Sequence, residues 1–123
     1  MGRRIVILGA GFGGLTTALT LERAVPRDAG VDILLLDAHN FHLFSPMLHE
    51  VTSGSVEPRH VVWPIRGLGR RTRFTFQRRQ VRAIDLSAKT VATDQDEIGY
   101  DSLVIALGGT TNYYGVRGAG ECA

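Results

Sequence analysis

One stretch limits the fold more than any other: Arg4-Ile5-Val6-Ile7-Leu8-Gly9-Ala10-Gly11-Phe12-Gly13-Gly14. Ile5 to Leu8 form a short apolar run of strand character, and Leu15, Ala18 and Leu19 then recur at helical spacing. A strand that enters a helix through Gly-x-Gly-x-x-Gly uses each glycine differently. Gly9 allows the tight turn, Gly11 keeps the backbone open to an approaching group, and Gly14 lets the helix lie close to its strand. The N–H groups of the helix start, with roughly half a positive charge of macrodipole behind them, suit an anion such as a dinucleotide pyrophosphate.

With 15 glycines in the chain a chance match is easy, so the next strand matters. Val31-Asp32-Ile33-Leu34-Leu35-Leu36 ends on Asp37, and an acid about 20 residues beyond such a turn is placed to hold ribose hydroxyls. The alternative is a solvated acid at a strand end. A P-loop is excluded, because Leu15 follows Gly14 where a phosphate-binding lysine would stand.

At 123 residues the chain is one domain or part of one, and 44% hydrophobic content is enough for a core. Its apolar runs are too short to span a bilayer. Met1-Gly2-Arg3-Arg4 ahead of Ile5 has the outline of an export signal, but glycines break the apolar run after Leu8. The single cysteine, Cys122, excludes a disulfide framework and a cysteine metal cluster, and points to a reducing, cytoplasmic setting. Net charge is only +2, yet unevenly spread. Arg59, Arg66, Arg70, Arg71, Arg73, Arg78, Arg79 and Arg82 occur with no acid among them, and Asp85, Asp94, Asp96, Glu97 and Asp101 follow. The reading favoured is a solvated face compensated within the fold; attraction to an anionic membrane surface is the alternative. No nucleic-acid motif accompanies the arginines, so no nucleic-acid partner is expected.

Other chemistry finds little support. His39, His42, His49 and Glu50 are close in sequence, but no His-Glu-x-x-His occurs and no metal site is expected. No Gly-x-Ser-x-Gly marks a serine nucleophile, and no catalytic acid or base is assigned. Phe41, Phe44, Trp63, Phe74 and Phe76 are expected in the core rather than as a stacking platform.

In chain order, a first helix is expected from about Gly13 to Val25, stopped by Pro26, with Arg23 and Arg27 near its C-terminal end. Strand, helix and strand then make a right-handed crossover on a parallel sheet. Residues 38–54 read as a loop passing into a short helix around Pro46 to Val51. Pro58 starts a further helix that Gly67 or Gly69 ends. The period then changes to two: Phe74 and Phe76, Val81 and Ile84, and Val91 and Ile98 predict short strands. Turns at Ser87-Ala88-Lys89 and Asp94-Gln95-Asp96 make these a small antiparallel meander, where an NAD dehydrogenase usually carries another crossover helix. Leu103 to Leu107 read as a buried strand emptying into Gly108-Gly109. The fold class is α/β, a Rossmann-like domain whose parallel sheet carries a βαβ unit and an added meander.

The pattern resembles the flavin-dependent pyridine nucleotide oxidoreductases with two dinucleotide-binding domains, and among them the type II NADH dehydrogenases. Gly9 to Gly14 with Ala18, Phe41-His42-Leu43-Phe44-Ser45-Pro46-Met47-Leu48, Trp63-Pro64-Ile65-Arg66 and Tyr100 to Gly108 carry the likeness, which extends to about Val116. It implies FAD, rather than NAD, on the opening turn. Gly9, Gly11 and Gly14, with Phe12 and Gly13 in the same turn, would meet the pyrophosphate. Asp37, followed by Ala38, would meet the adenosine ribose, and the backbone around Val81 the adenine. Ala106 and Gly108 would pass the diphosphate, and Ser45 and Pro46 would approach the flavin. Two departures stand out: Ala106-Leu107-Gly108 replaces the usual Ala-Thr-Gly, and Ser45 stands where Gln or Thr is common.

The resemblance further implies that residues 1–123 are the N-terminal portion of an FAD-binding domain, without the NADH-binding domain and the C-terminal return. The parent would take hydride from NADH and pass electrons to a quinone, peripheral on the cytoplasmic side of the membrane, with room for a homodimer. Residues 38–60 hold no cysteine, which excludes electron delivery to a dithiol through this segment. A sulfide:quinone oxidoreductase-like parent stays open, as do a nucleotide-binding fragment without turnover and an NAD-dependent Rossmann enzyme.

Overall fold

Strands β1 (Arg3–Leu8) and β2 (Val31–Asp37) lie parallel at the centre of a four-stranded sheet. The structure is a computed structural model that describes residues 2–43, 45–65, 72–110 and 112–122. Between the two strands runs helix α1 (Phe12–Ala24), completing the expected crossover. β1 pairs on its other side with β9 (Ser102–Ile105), and β2 with β5 (Thr75–Arg78), so the order is β5-β2-β1-β9 and every pairing is parallel.

The continuous apolar runs of β1 and β2 follow from burial on both faces. Ile7, Ile33 and Leu35 point to the α1 side, where Ala18, Ile65 and Phe74 complete one core. Val6, Leu8, Leu34 and Leu36 alternate to the other side and meet Val91 and Ile98. Those two come from a meander of β6 (Val81–Asp85), β7 (Thr90–Thr93) and β8 (Glu97–Gly99), antiparallel in that order. The central sheet is thus a middle layer between a helix and a small second sheet.

Five expectations change. The strand around Phe76 belongs to the parallel sheet and not to the meander: Phe76 stands opposite Leu35, and Phe74 is buried in the α1-side core. Phe41 to Leu43, read as loop, is a short strand β3, antiparallel to β4 (Val62–Pro64) with His42 opposite Trp63. The helix expected from Pro58 is only a 3-10 turn, Pro58–His60, before β4. Pro64 could not continue a helix, and β-branched Val61 and Val62 favour the extended chain. The proposed stops Gly67 and Gly69 lie outside the described residues, as do Phe44, Arg66, Arg70 and Arg71. Finally, β9 is a sheet edge that ends at Ile105, and the burial expected from Leu103 to Leu107 is partial: Ile105 is 59% and Leu107 53% exposed. Phe41 and Trp63, expected in the core, are exposed at 39% and 47%; Phe41 alternates to the face opposite buried His42. The short helix after the 3-10 turn Ser45–Met47 is present as α2 (Leu48–Thr52), and a last short helix, α3, spans Ala119–Cys122.

The end of α1 has a long-range cap. Arg73 donates through Nη1 to the carbonyls of Glu22 (2.7 Å) and Val25 (2.9 Å), while its backbone N–H donates to Glu22 Oε2 (2.8 Å). A guanidinium on the final carbonyls satisfies orphan acceptors and opposes the negative end of the dipole. Arg73→Ala is therefore expected to cost about 1 kcal/mol in urea denaturation, the exposed setting keeping it well below a buried charged bond. An unchanged midpoint would mean water replaces the cap without loss.

Candidate functional site

The glycine turn sits where β1 gives way to α1, and three contacts fix it. The Gly9 N–H donates to Leu36 O at 2.7 Å, with Gly9 at φ +95, a conformation that side chains resist. The Ala10 N–H donates to Asp37 Oδ2 at 2.7 Å, and the Ala10 carbonyl accepts from His42 Nδ1 at 3.1 Å. A carbonyl can only accept, so Nδ1 of His42 carries the proton. The same imidazole meets the Phe12 ring edge-on at 5.0 Å. Both ends of the Ala10 residue are thus gripped from the segment that leaves β2.

Asp37 does more than terminate β2. Its Oδ1 accepts the His39 N–H at 2.8 Å while Oδ2 holds Ala10, so the carboxylate is oriented across the turn with acceptor capacity to spare. Gly11 caps α1 with no side-chain hydrogen bond, and the helix's first turn contains no acid. A Cβ built on Gly11 would meet nothing within 4 Å, so this face of the turn opens to space.

Two adjoining clefts run from that opening. One of about 500 Å³ is bordered by Ala10, Gly11, Phe41, Leu43, Ala106 and Gly108. The other, about 270 Å³, is bordered by Gly9, Leu36, Ala38, Arg79, Gln80 and Val81. Asp37, His39 and Leu107 line both, so the two form one elongated trough. It follows the carboxyl ends of β1, β2 and β9, where the chain has gone from β1 outward to β2 and β5 and then to the opposite side with β9. Open α/β sheets bind ligands at such a switch point. A separate cleft of about 320 Å³ at the other end of the strands includes Arg4 and Asp32, which are paired at 2.9 Å.

The trough brings together Gly9, Gly11, Asp37, Ala38, Val81, Ala106 and Gly108. Gly14 is buried beneath the turn, Gly13 stands beside Ala106, and Phe12 is 45% exposed at the helix start. Pro46 is exposed and borders neither cleft; it and Ser45 sit in the 3-10 turn after β3. Phe41 and Leu43, one strand position to either side of His42, are the apolar lining that sequence reasoning missed. Among the described residues no group of three or more His, Cys, Asp or Glu is placed to hold a metal ion, and no helix is long and apolar enough to cross a membrane.

Sheet order, glycine turn and trough define a Rossmann-type α/β domain. The chain belongs to the pyridine nucleotide-disulphide oxidoreductase family, whose sequence model matches residues 3–123. It is 30% identical over 116 residues to the type II NADH:quinone oxidoreductase of Staphylococcus aureus, covering 94% of this chain and 29% of that protein. Among solved structures, the sulfide:quinone oxidoreductase of Aquifex aeolicus superposes with a TM-score of 0.89 at 28% identity, over 98% of this chain and 27% of that one. NDH2 of Plasmodium falciparum shares the fold, with a TM-score of 0.83 at 22% identity over 98% of this chain and 25% of that one. The chain therefore spans under a third of the length of these relatives.

Proposed function

We propose that this chain is the N-terminal FAD-binding portion of an oxidoreductase that transfers hydride from NADH to flavin and electrons on to a quinone. The observation that carries the reading is the trough itself, two clefts joined at Asp37 with an open glycine turn between them. An elongated dinucleotide matches that form. Its pyrophosphate would lie over Gly9 and Gly11 beside Ala106 and Gly108, its adenosine ribose at Asp37, and its adenine toward Val81. The larger cleft, walled by Phe41 and Leu43, takes the direction of the flavin. The meander between β5 and β9, in place of a crossover helix, favours FAD over NAD at this turn.

Bound flavin would supply hydride acceptance and stepwise electron release, while the protein binds, orients and shields it. In this chain those duties fall to backbone N–H groups at the helix start and to the carboxylate of Asp37. The NADH site, the quinone and any membrane surface would belong to the rest of the parent protein. The 123-residue chain alone is expected to bind flavin without turnover, so NADH oxidation with a quinone acceptor should be undetectable.

Fluorescence titration with FAD is the direct test. Saturable binding is expected, and Asp37→Ala should weaken it roughly tenfold to a hundredfold by removing a charged acceptor and releasing the Ala10 and His39 amides. Binding of NAD but not FAD would sink the assignment, and unchanged FAD affinity in the variant would leave Asp37 as a brace of the turn alone. The Aquifex match favours a second reading in which the parent's reductant is sulfide and not NADH; assaying the parent with each reductant separates the two.

A further inference from the structure

We infer that Arg79 is the residue that selects the base at the adenosine end of the trough, taking a purine ring against its guanidinium. This rests on the FAD reading above and adds a contact to it. Arg79 follows β5, and its backbone N–H donates to Asp37 O at 2.8 Å, which brings the side chain to the border of the smaller cleft beside Val81, Leu36 and Ala38. The side chain is only 21% exposed and is held in place. Nε donates to Asp96 Oδ1 at 3.1 Å, Nη2 to Asp96 Oδ2 at 3.4 Å, and Nη1 to the Arg78 carbonyl at 3.0 Å.

The anchor is itself anchored. Thr93 Oγ1 donates to Asp96 Oδ1 at 2.7 Å, and the Gln80 N–H donates to the neighbouring Asp94 at 2.8 Å. Hydrogen bonds from Thr93 and then Arg79 hold the Asp96 carboxyl below its usual range, so it stays charged opposite the arginine. The β7–β8 turn thus clamps residues 79 and 80 onto the sheet.

Two consequences follow from this geometry. The hydrogen bonds lie in the guanidinium plane, which leaves its π face as a surface for a flat ring, a role arginine fills and lysine does not. Asp96 also neutralises the charge, so the cleft wall suits an uncharged base better than a further phosphate. A purine offers more ring area to that face than a pyrimidine does.

The test compares ADP and UDP binding, each as displacement of FAD, in the full chain and in Arg79→Met and Arg79→Lys. The parent chain should prefer ADP by about tenfold, and Arg79→Met should lower that preference to within about twofold while still melting as a cooperatively folded chain. Arg79→Lys, which keeps the charge but not the plane, should recover less than half of the lost preference. A purely structural role would weaken ADP and UDP by the same factor, and that result, or an unchanged ratio, overturns the assignment. A parent chain that binds neither FAD nor ADP overturns the FAD reading together with it, whereas FAD binding without any base preference removes Arg79 alone.

Discussion

Gly14→Ala should leave the chain unfolded or destabilised by about 3 kcal/mol or more, although alanine is the better helix former by about 1 kcal/mol. Gly14 lies in the first turn of α1 and is buried against β1. A Cβ there would fall 1.6 Å from the Gly9 carbonyl oxygen and 2.8 Å from its carbon. Those are backbone atoms at the tightest point of the turn, so no rotamer change relieves the overlap. Either α1 lifts off the sheet, exposing Ala18 and the core beneath it, or the turn opens and releases the Leu36 and Asp37 contacts. Both losses exceed the gain in helix propensity. Urea denaturation checks the prediction, and a midpoint equal to the parent's would show that the turn can relax in a way the packing argues against.

The half of the fold around this turn was legible because its constraints are local. Ile5 to Leu8 and Ile33 to Leu36 are continuous apolar runs, and such runs are what strands buried on both faces require. Glycines at fixed spacing announce the turn, and Asp37 falls at the next strand's end. What stayed illegible was mostly a question of partners. Phe74 and Phe76 alternate correctly for a half-buried strand, but alternation says nothing about whether the neighbour is β2 or β6. Phe41 to Leu43 is too short to show a period, and the strand exists because β4 arrives to pair with it. Leu103 to Ile105 look like an interior strand by composition, yet a sheet order that ends on β9 leaves Ile105 exposed. Arg79 was one arginine in a run of eight until Asp96, across two strands, singled it out. His42 had no role assigned from the sequence, and the structure gives it the Ala10 carbonyl to hold.

Gly11→Val should abolish FAD binding while leaving the fold in place, the reverse of the outcome at Gly14. The two positions belong to one motif, but their surroundings differ. Gly11 adopts φ −74 and ψ −160, extended backbone that valine accepts, and its Cβ would meet no atom within 4 Å. The cost to stability is therefore limited to a poorer helix cap, about 1 kcal/mol. The space that the isopropyl group would enter is the mouth of the larger cleft, where the pyrophosphate has to approach the N–H groups of the helix start. Filling it separates the anion from its donors and blocks the passage between the two clefts, so affinity should fall at least a hundredfold, equivalent to about 2.7 kcal/mol or more. FAD fluorescence titration alongside thermal denaturation reads both quantities in one preparation. Retained affinity would place the pyrophosphate away from this turn, whereas loss of fold and binding together would mean that Gly11 serves the backbone rather than the ligand.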